Sequence, residues 1–100
     1  MNYPVYQPSL TGNEKRYVNE CLDTAWISCK GHFVTDFENA FADFIGVKHG
    51  TGVCNGTVAI HLAAGALGLS AGDEVICPSF TYIASANPFE QLGCKVVFCD

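Results

Sequence analysis

Apolar positions along this chain change rhythm near residue 47. Before it they recur at helical spacing. Tyr17, Val18, Cys21 and Leu22 share one face, and Thr11 with Glu14 stands ahead of them at capping-box spacing. Residues 24–32 have no clear period and read as a loop. Thr35 and Glu38 make a second capping box, followed by an aromatic stripe of Phe37, Phe41, Phe44 and Ile45 that stops at Gly46. Nothing polar interrupts that stripe, so plain core packing is the expectation.

From residue 47 onward the pattern becomes short strand, helix, short strand, helix, short strand. A weak strand is expected over 47–54, diluted by Gly50 and Gly52. The helix expected over 57–67 is apolar almost all round (Val58, Ala59, Ile60, Leu62, Ala63, Ala64, Leu67), which predicts burial on several sides. Gly68 ends it, and Gly72-Asp73 turns into a strand over 74–77. A third helix over 82–92 should be kinked by Pro88, which has no N–H to donate, and Gly93 ends it before a last strand over 95–99. Apolar strands separated by helices imply an α/β fold, a parallel sheet with right-handed crossovers. Three strands and one buried helix leave apolar faces without cover. The chain therefore reads as the opening piece of something larger, with 1–46 as an extended segment plus two helices and 47–100 as the first strand–helix units of an incomplete domain.

Composition narrows the functional classes. One hundred residues allow at most one small domain, and 49% hydrophobic against 15% charged residues excludes intrinsic disorder. Ten acidic and five basic residues give a net charge of −5, which argues against a nucleic-acid or anionic-membrane partner. An anion site here must rest on backbone N–H groups rather than on massed Lys and Arg. No apolar run reaches the roughly 18–20 residues of a membrane span, and no basic-then-apolar leader is visible. Six cysteines (Cys21, Cys29, Cys54, Cys77, Cys94, Cys99) lack CxxC spacing, and several close apolar runs. They suit small buried hydrophobes in a reduced, cytoplasmic protein.

Two junctions carry candidate chemistry. Cys54-Asn55-Gly56-Thr57-Val58 lies between an expected strand and the apolar helix, and ligands of open α/β sheets bind beyond the carboxyl ends of strands. Asn55 or Gly56 can cap the helix, Gly56 permits close backbone approach, and Thr57 adds a hydroxyl beside free helical N–H groups. Such a corner suits a phosphate, although an ordinary cap or an Asn-Gly turn would look the same. Neither GxGxxG nor GxxxxGK[ST] is present. The second junction, Pro78-Ser79-Phe80-Thr81-Tyr82, falls on the same edge of the sheet, where Tyr82 could stack on a flat ligand or simply pack at a helix start.

Other titratable residues offer less. His61 reads as a core histidine, His49 sits in the weak strand, and His32 lies in the loop without partners at metal-ligand spacing. Lys48 and Lys95 begin strands, at the edge opposite the junctions, while Lys15 is on an exposed helix face and Lys30 is in the loop. None has the setting of a buried nucleophilic lysine.

Tyr3-Pro4-Val5-Tyr6, Gly12-Asn13-Glu14, Trp26-Ile27-Ser28, Phe37-Glu38 and Phe41-Ala42 resemble the start of the DegT/DnrJ/EryC1/StrS sugar aminotransferases. So do the run from Asn55 to Leu62, Gly72-Asp73-Glu74-Val75-Ile76, the run from Thr81 to Ala86, and Gly93 to Asp100. The opening Tyr-Pro segment and Trp-Ile-Ser resemble most the perosamine-forming branch, which aminates a nucleotide-linked 4-keto-6-deoxy sugar.

The resemblance implies the start of the large domain of a fold-type I, aspartate aminotransferase-like enzyme that uses pyridoxal 5'-phosphate. By the family pattern Gly56 and Thr57 hold the cofactor phosphate, with Asn55 beside them in the cofactor-binding corner, Tyr82 stacks on the cofactor ring, and Trp26 and Ser28 lie near the sugar-nucleotide pocket. It also implies glutamate as amino donor, a homodimer, and a place in amino-sugar biosynthesis for the lipopolysaccharide O-antigen. The family's Schiff-base lysine and the carboxylate facing the pyridinium nitrogen have no counterpart in these residues and are expected downstream, so the 100-residue chain alone is expected to be inactive. Two alternatives remain open: a dehydratase of the same family, in which another residue replaces that lysine, and a non-catalytic remnant.

Overall fold

The computed structural model describes Pro4 and residues 6–100; Tyr3 and Val5 of the opening motif lie outside the described residues. The chain forms two compact units, Met1–Gly52 and Val53–Asp100.

In the first unit, α1 spans Glu14–Asp23 and α2 spans His32–Ile45. Neither expected capping box forms. Helix α1 starts at Glu14 itself, after Asn13, so Glu14 is the first helical residue rather than the third and cannot reach back to Thr11. The Thr11 hydroxyl lies instead 3.4 Å from that of Ser9. Helix α2 begins four residues earlier than expected for a Thr35 cap to act one residue ahead of it, with Gly31 as N-cap, which places Thr35 inside the helix. His32 therefore belongs to α2 and not to the loop; its Nε2 is 3.6 Å from Glu20 Oε1, and its ring lies against Phe33 at 4.1 Å. Gly46 closes α2 as expected, at φ +78°, where its N–H bonds the Ala42 carbonyl at 2.9 Å.

The strand expected over 47–54 does not form. The reason lies fourteen residues back, in Glu38, whose carboxylate accepts the Gly52 N–H at 2.7 Å. Gly50 passes so close to α2 that a Cβ there would come within 2.7 Å of the Glu38 carbonyl oxygen. The aromatic stripe of α2 also departs from core packing. Phe37 and Phe41 stack with centroids 5.6 Å apart, yet both remain more than half exposed, as do Phe44 and Ile45. Among the described residues the stripe is an uncovered apolar face.

In the second unit the order is α3 (Gly56–Ala66), β1 (Glu74–Pro78), a 3-10 turn (Ile83–Ser85), α4 (Asn87–Gln91) and β2 (Lys95–Cys99). The two strands pair in parallel, from Glu74 opposite Lys95 to Pro78 opposite Cys99. The sheet thus has two strands among the described residues, not three. The expected helix over 82–92 is broken rather than kinked. Pro88 falls in the first turn of α4, where its missing N–H costs nothing, and the preceding turn is 3-10. Lys95 and Glu74, at the amino ends of the strands, form an ion pair at 2.6 Å.

Small residues make the buried centre of this unit: Ala64, Cys77, Ala86, Pro88 and Cys94. The α3 helix is not buried on several sides. Ala64 is its one buried residue, Val58 and Leu62 are exposed, and His61 is half-buried rather than a core histidine. The six cysteines carry free thiols. No described helix is long and apolar enough to cross a membrane.

Candidate functional site

The strongest site reading concerns the amino end of α3. Asn55, extended at φ −166°, is its N-cap, and the Asn55 Oδ1 accepts the Val58 N–H at 3.0 Å. The cap takes the donor of the third helical residue. The N–H groups of Gly56 and Thr57, in the first turn, have no intrahelical acceptor and no partner among the described residues. Thr57 is half-buried, and its hydroxyl is likewise unpartnered among the described residues. Nothing lies within 4 Å of where a Cβ on Gly56 would stand, so the space above the first turn is open. Two amides, a hydroxyl and the positive end of an eleven-residue helix are thus left together at this corner, a donor set of the kind that suits an anion.

The second junction leaves β1 at Pro78. Helix α3 packs against the 3-10 turn Ile83–Ser85 that follows Tyr82, so both junctions belong to one packed unit. Tyr82 has extended backbone (φ −71°, ψ 146°) and a ring 74% exposed. A flat ligand can cover that ring without displacing core.

Trp26 and Ser28 lie in the first unit, on the link from α1 to α2. Trp26 is about half exposed at 52%, and Ser28 is exposed, its carbonyl accepting the Gly31 N–H at 3.2 Å. The link starts at Ala25 with φ +58°, a left-handed conformation that an L side chain disfavours. Sequence reasoning missed this residue, since nothing local separates Ala25 from its neighbours.

Two apolar grooves border these segments, reaching Ile27 in the first unit and Val58 in the second. One, about 610 Å³, is lined in the first unit by apolar side chains such as Tyr17, Leu22, Ile27 and Phe37; the other, about 410 Å³, by Val58, His61, Leu62 and Leu92 in the second. Their walls carry few polar groups and offer no convergent donors.

Residues 8–100 match the DegT/DnrJ/EryC1/StrS aminotransferase family. The chain is 60% identical over 97 residues to a GDP-perosamine synthase of Escherichia coli O157:H7, covering 97% of this chain and 27% of that protein. It is 55% identical over 97 residues to a GDP-perosamine synthase of Vibrio cholerae, again covering 97% of this chain and 26% of the relative. Among solved structures, an E. coli GDP-4-keto-6-deoxy-D-mannose-3-dehydratase with bound hydrated PLP superposes with a TM-score of 0.80 at 30% identity, over 99% of this chain and 27% of that one. The chain spans about a quarter of the length of these relatives. Its α/β architecture, helices beside a parallel strand pair, is that of the opening part of a fold-type I, aspartate aminotransferase-like large domain. With the match extending from residue 8 to residue 100, the chain belongs to the DegT/DnrJ/EryC1/StrS aminotransferase family.

Proposed function

We propose that this chain is the opening part of a pyridoxal phosphate-dependent aminotransferase acting on a nucleotide-linked 4-keto-6-deoxy sugar, of the GDP-perosamine synthase type. The observation that carries the reading is the division of labour at α3: the Asn55 side chain caps Val58, which leaves the Gly56 and Thr57 amides and the Thr57 hydroxyl for an outside anion. A phosphate monoester fits that donor set, because it offers three acceptor oxygens and a charge of the sign the helix end favours. Identity of 60% to a GDP-perosamine synthase supports the substrate class.

In this reading Gly56 and Thr57 bind the phosphate, Asn55 holds the first turn in register, and the Tyr82 ring covers one face of the pyridine ring. Bound there, pyridoxal phosphate supplies the electron sink for moving an amino group from an amino acid, glutamate in our proposal, to the keto carbon of the sugar. Trp26 and Ser28 would line the approach of the sugar nucleotide. Residues 47–100 would form the first units of the cofactor-binding large domain, preceded by 1–46. The assembled enzyme would be a cytoplasmic homodimer serving O-antigen amino-sugar synthesis.

None of Lys15, Lys30, Lys48 and Lys95 is proposed as the cofactor-linked lysine. Lys95 is engaged with Glu74 at the end of the strands opposite Tyr82. Residues 1–100 alone should therefore give no borohydride-reducible adduct at one specific lysine; a stoichiometric adduct with turnover would overturn that assignment. The dehydratase likeness, at 30% identity, keeps a second reading in play. One assay separates them. The full-length polypeptide is supplied with pyridoxal phosphate, glutamate and GDP-4-keto-6-deoxymannose. Equal amounts of amino sugar and 2-oxoglutarate support transamination, a deoxygenated sugar without amine supports dehydration, and neither product refutes both.

A further inference from the structure

We propose that Ser79 and Asp100 form a tether that positions Tyr82 over the cofactor, an inference that rests on the cofactor reading above. The parallel ladder runs one step past its last residue pair, with the Ser79 N–H donating to the Cys99 carbonyl at 2.8 Å. There the chain must leave the sheet. The Ser79 hydroxyl donates to Asp100 Oδ1 at 2.7 Å, so the first residues beyond the carboxyl ends of β1 and β2 are joined by a charge-assisted bond. Two residues on, the Thr81 hydroxyl lies 2.8 Å from that of Ser85, and the Ser85 N–H donates to the Tyr82 carbonyl at 2.9 Å.

Tyr82 thus lies between two cross-ties, one to the next strand and one to the 3-10 turn. Its ring is 74% exposed, and Phe80 beside it is fully exposed, so burial does not fix this segment. Position must come from the backbone, and the ties are what hold the backbone. A stacking side chain loses its contact when the ring tilts or slides, so a loose segment would degrade the interaction without removing the tyrosine. Ser79 and Asp100 are positioning residues in this account. Neither needs to touch the cofactor.

The test compares Ser79→Ala, Asp100→Ala, Asp100→Asn and Tyr82→Leu in the full-length protein. Pyridoxal phosphate affinity, the visible circular dichroism of the bound cofactor and the thermal unfolding of the apoprotein are measured for each. Ser79→Ala and Asp100→Ala should each weaken binding about three- to tenfold, less than the full loss of a charge-assisted bond because the tether acts on the cofactor only through Tyr82, and diminish the visible dichroism. The double variant should be no worse than either single, because both remove one bond. Asp100→Asn keeps an acceptor oxygen for Ser79 and should restore most of the signal. If Tyr82→Leu alters the dichroism while Ser79→Ala and Asp100→Ala leave it like the parent, the tether is refuted and the cofactor reading stands. Lowered apoprotein stability with an unchanged cofactor signal refutes it equally, since the bond would then only close the sheet. If Tyr82→Leu is also silent, the placement of Tyr82 falls and the tether with it.

Discussion

Thr57→Val is the sharpest test of the phosphate corner, because the structure separates two roles that are confounded in the sequence. The substitution keeps the branched shape and removes one hydroxyl. Capping of α3 does not depend on that hydroxyl, since the Val58 N–H is taken by Asn55 Oδ1 at 3.0 Å. Folding stability should therefore change by no more than about 0.5 kcal/mol, the range for substitutions away from caps and core. A hydrogen bond to a charged phosphate contributes roughly 1.5–3 kcal/mol, so cofactor affinity should fall about tenfold to a hundredfold. Asn55→Ala is the mirror experiment. It removes the cap and should cost about 1 kcal/mol of stability, with a smaller loss of affinity caused by a looser first turn. Both variants are titrated with pyridoxal phosphate in the full-length protein, alongside a denaturant curve for each. Parent-like affinity in Thr57→Val would refute the assignment of Thr57 to the phosphate. A stability loss of 1 kcal/mol or so in that variant, with affinity intact, would show that the hydroxyl serves the helix instead.

Tyr82→Leu should shift the absorption of the bound cofactor and weaken its binding while leaving the unfolding midpoint unchanged, because the ring is 74% exposed; spectral titration and denaturation check both halves. Gly50→Ala forces a Cβ to within 2.7 Å of the Glu38 carbonyl oxygen, a backbone atom that cannot step aside, and should destabilise by about 1–3 kcal/mol in chemical denaturation. Ala25→Gly relieves the left-handed conformation at φ +58° and should stabilise by about 0.5–1 kcal/mol, part of the gain being offset by the greater freedom of glycine in the unfolded chain. A fall in the unfolding midpoint would contradict that account.

The residues differ in how much of this they disclosed in advance. Gly46, Gly68, Gly72 and Gly93 were legible as stops and turns because all four adopt positive φ, which few other residues tolerate. Asn55 and Thr57 were legible as a corner, though their separate roles were not, because sequence alone does not say which oxygen takes the Val58 N–H. The failures share a cause. Glu38 looks like the acidic half of a capping box, yet α2 starts well before Thr35, and the Glu38 carboxylate instead serves Gly52, tying down the segment expected to be a strand. A local pattern cannot register a partner fourteen residues away. The apolar circumference of α3 predicts burial on several sides, yet among the described residues only Ala64 is buried, because a helix pattern does not say which elements arrive to cover it. Pro88 was recognised as a disruption; its place in the first turn of a new helix depended on where the chain restarted.

The strand pair of the second unit has a consequence for anyone who would handle this region in isolation. Among the described residues β1 and β2 bond to each other alone, so each keeps an outer rim of unmatched amide and carbonyl groups. Such a rim is a template. It will recruit any extended segment of compatible pattern, and Ile76 and Phe98, exposed at 74% and 56%, make the recruitment adhesive. In a protein where neighbouring strands arrive from the same polypeptide, the template is filled correctly and only once. Without them, the nearest supplier is another molecule of the same kind, and growth has no natural stopping point. Solubility of this segment is thus a property of what lies beside it, and turbidity that rises with concentration is the behaviour its sheet geometry dictates.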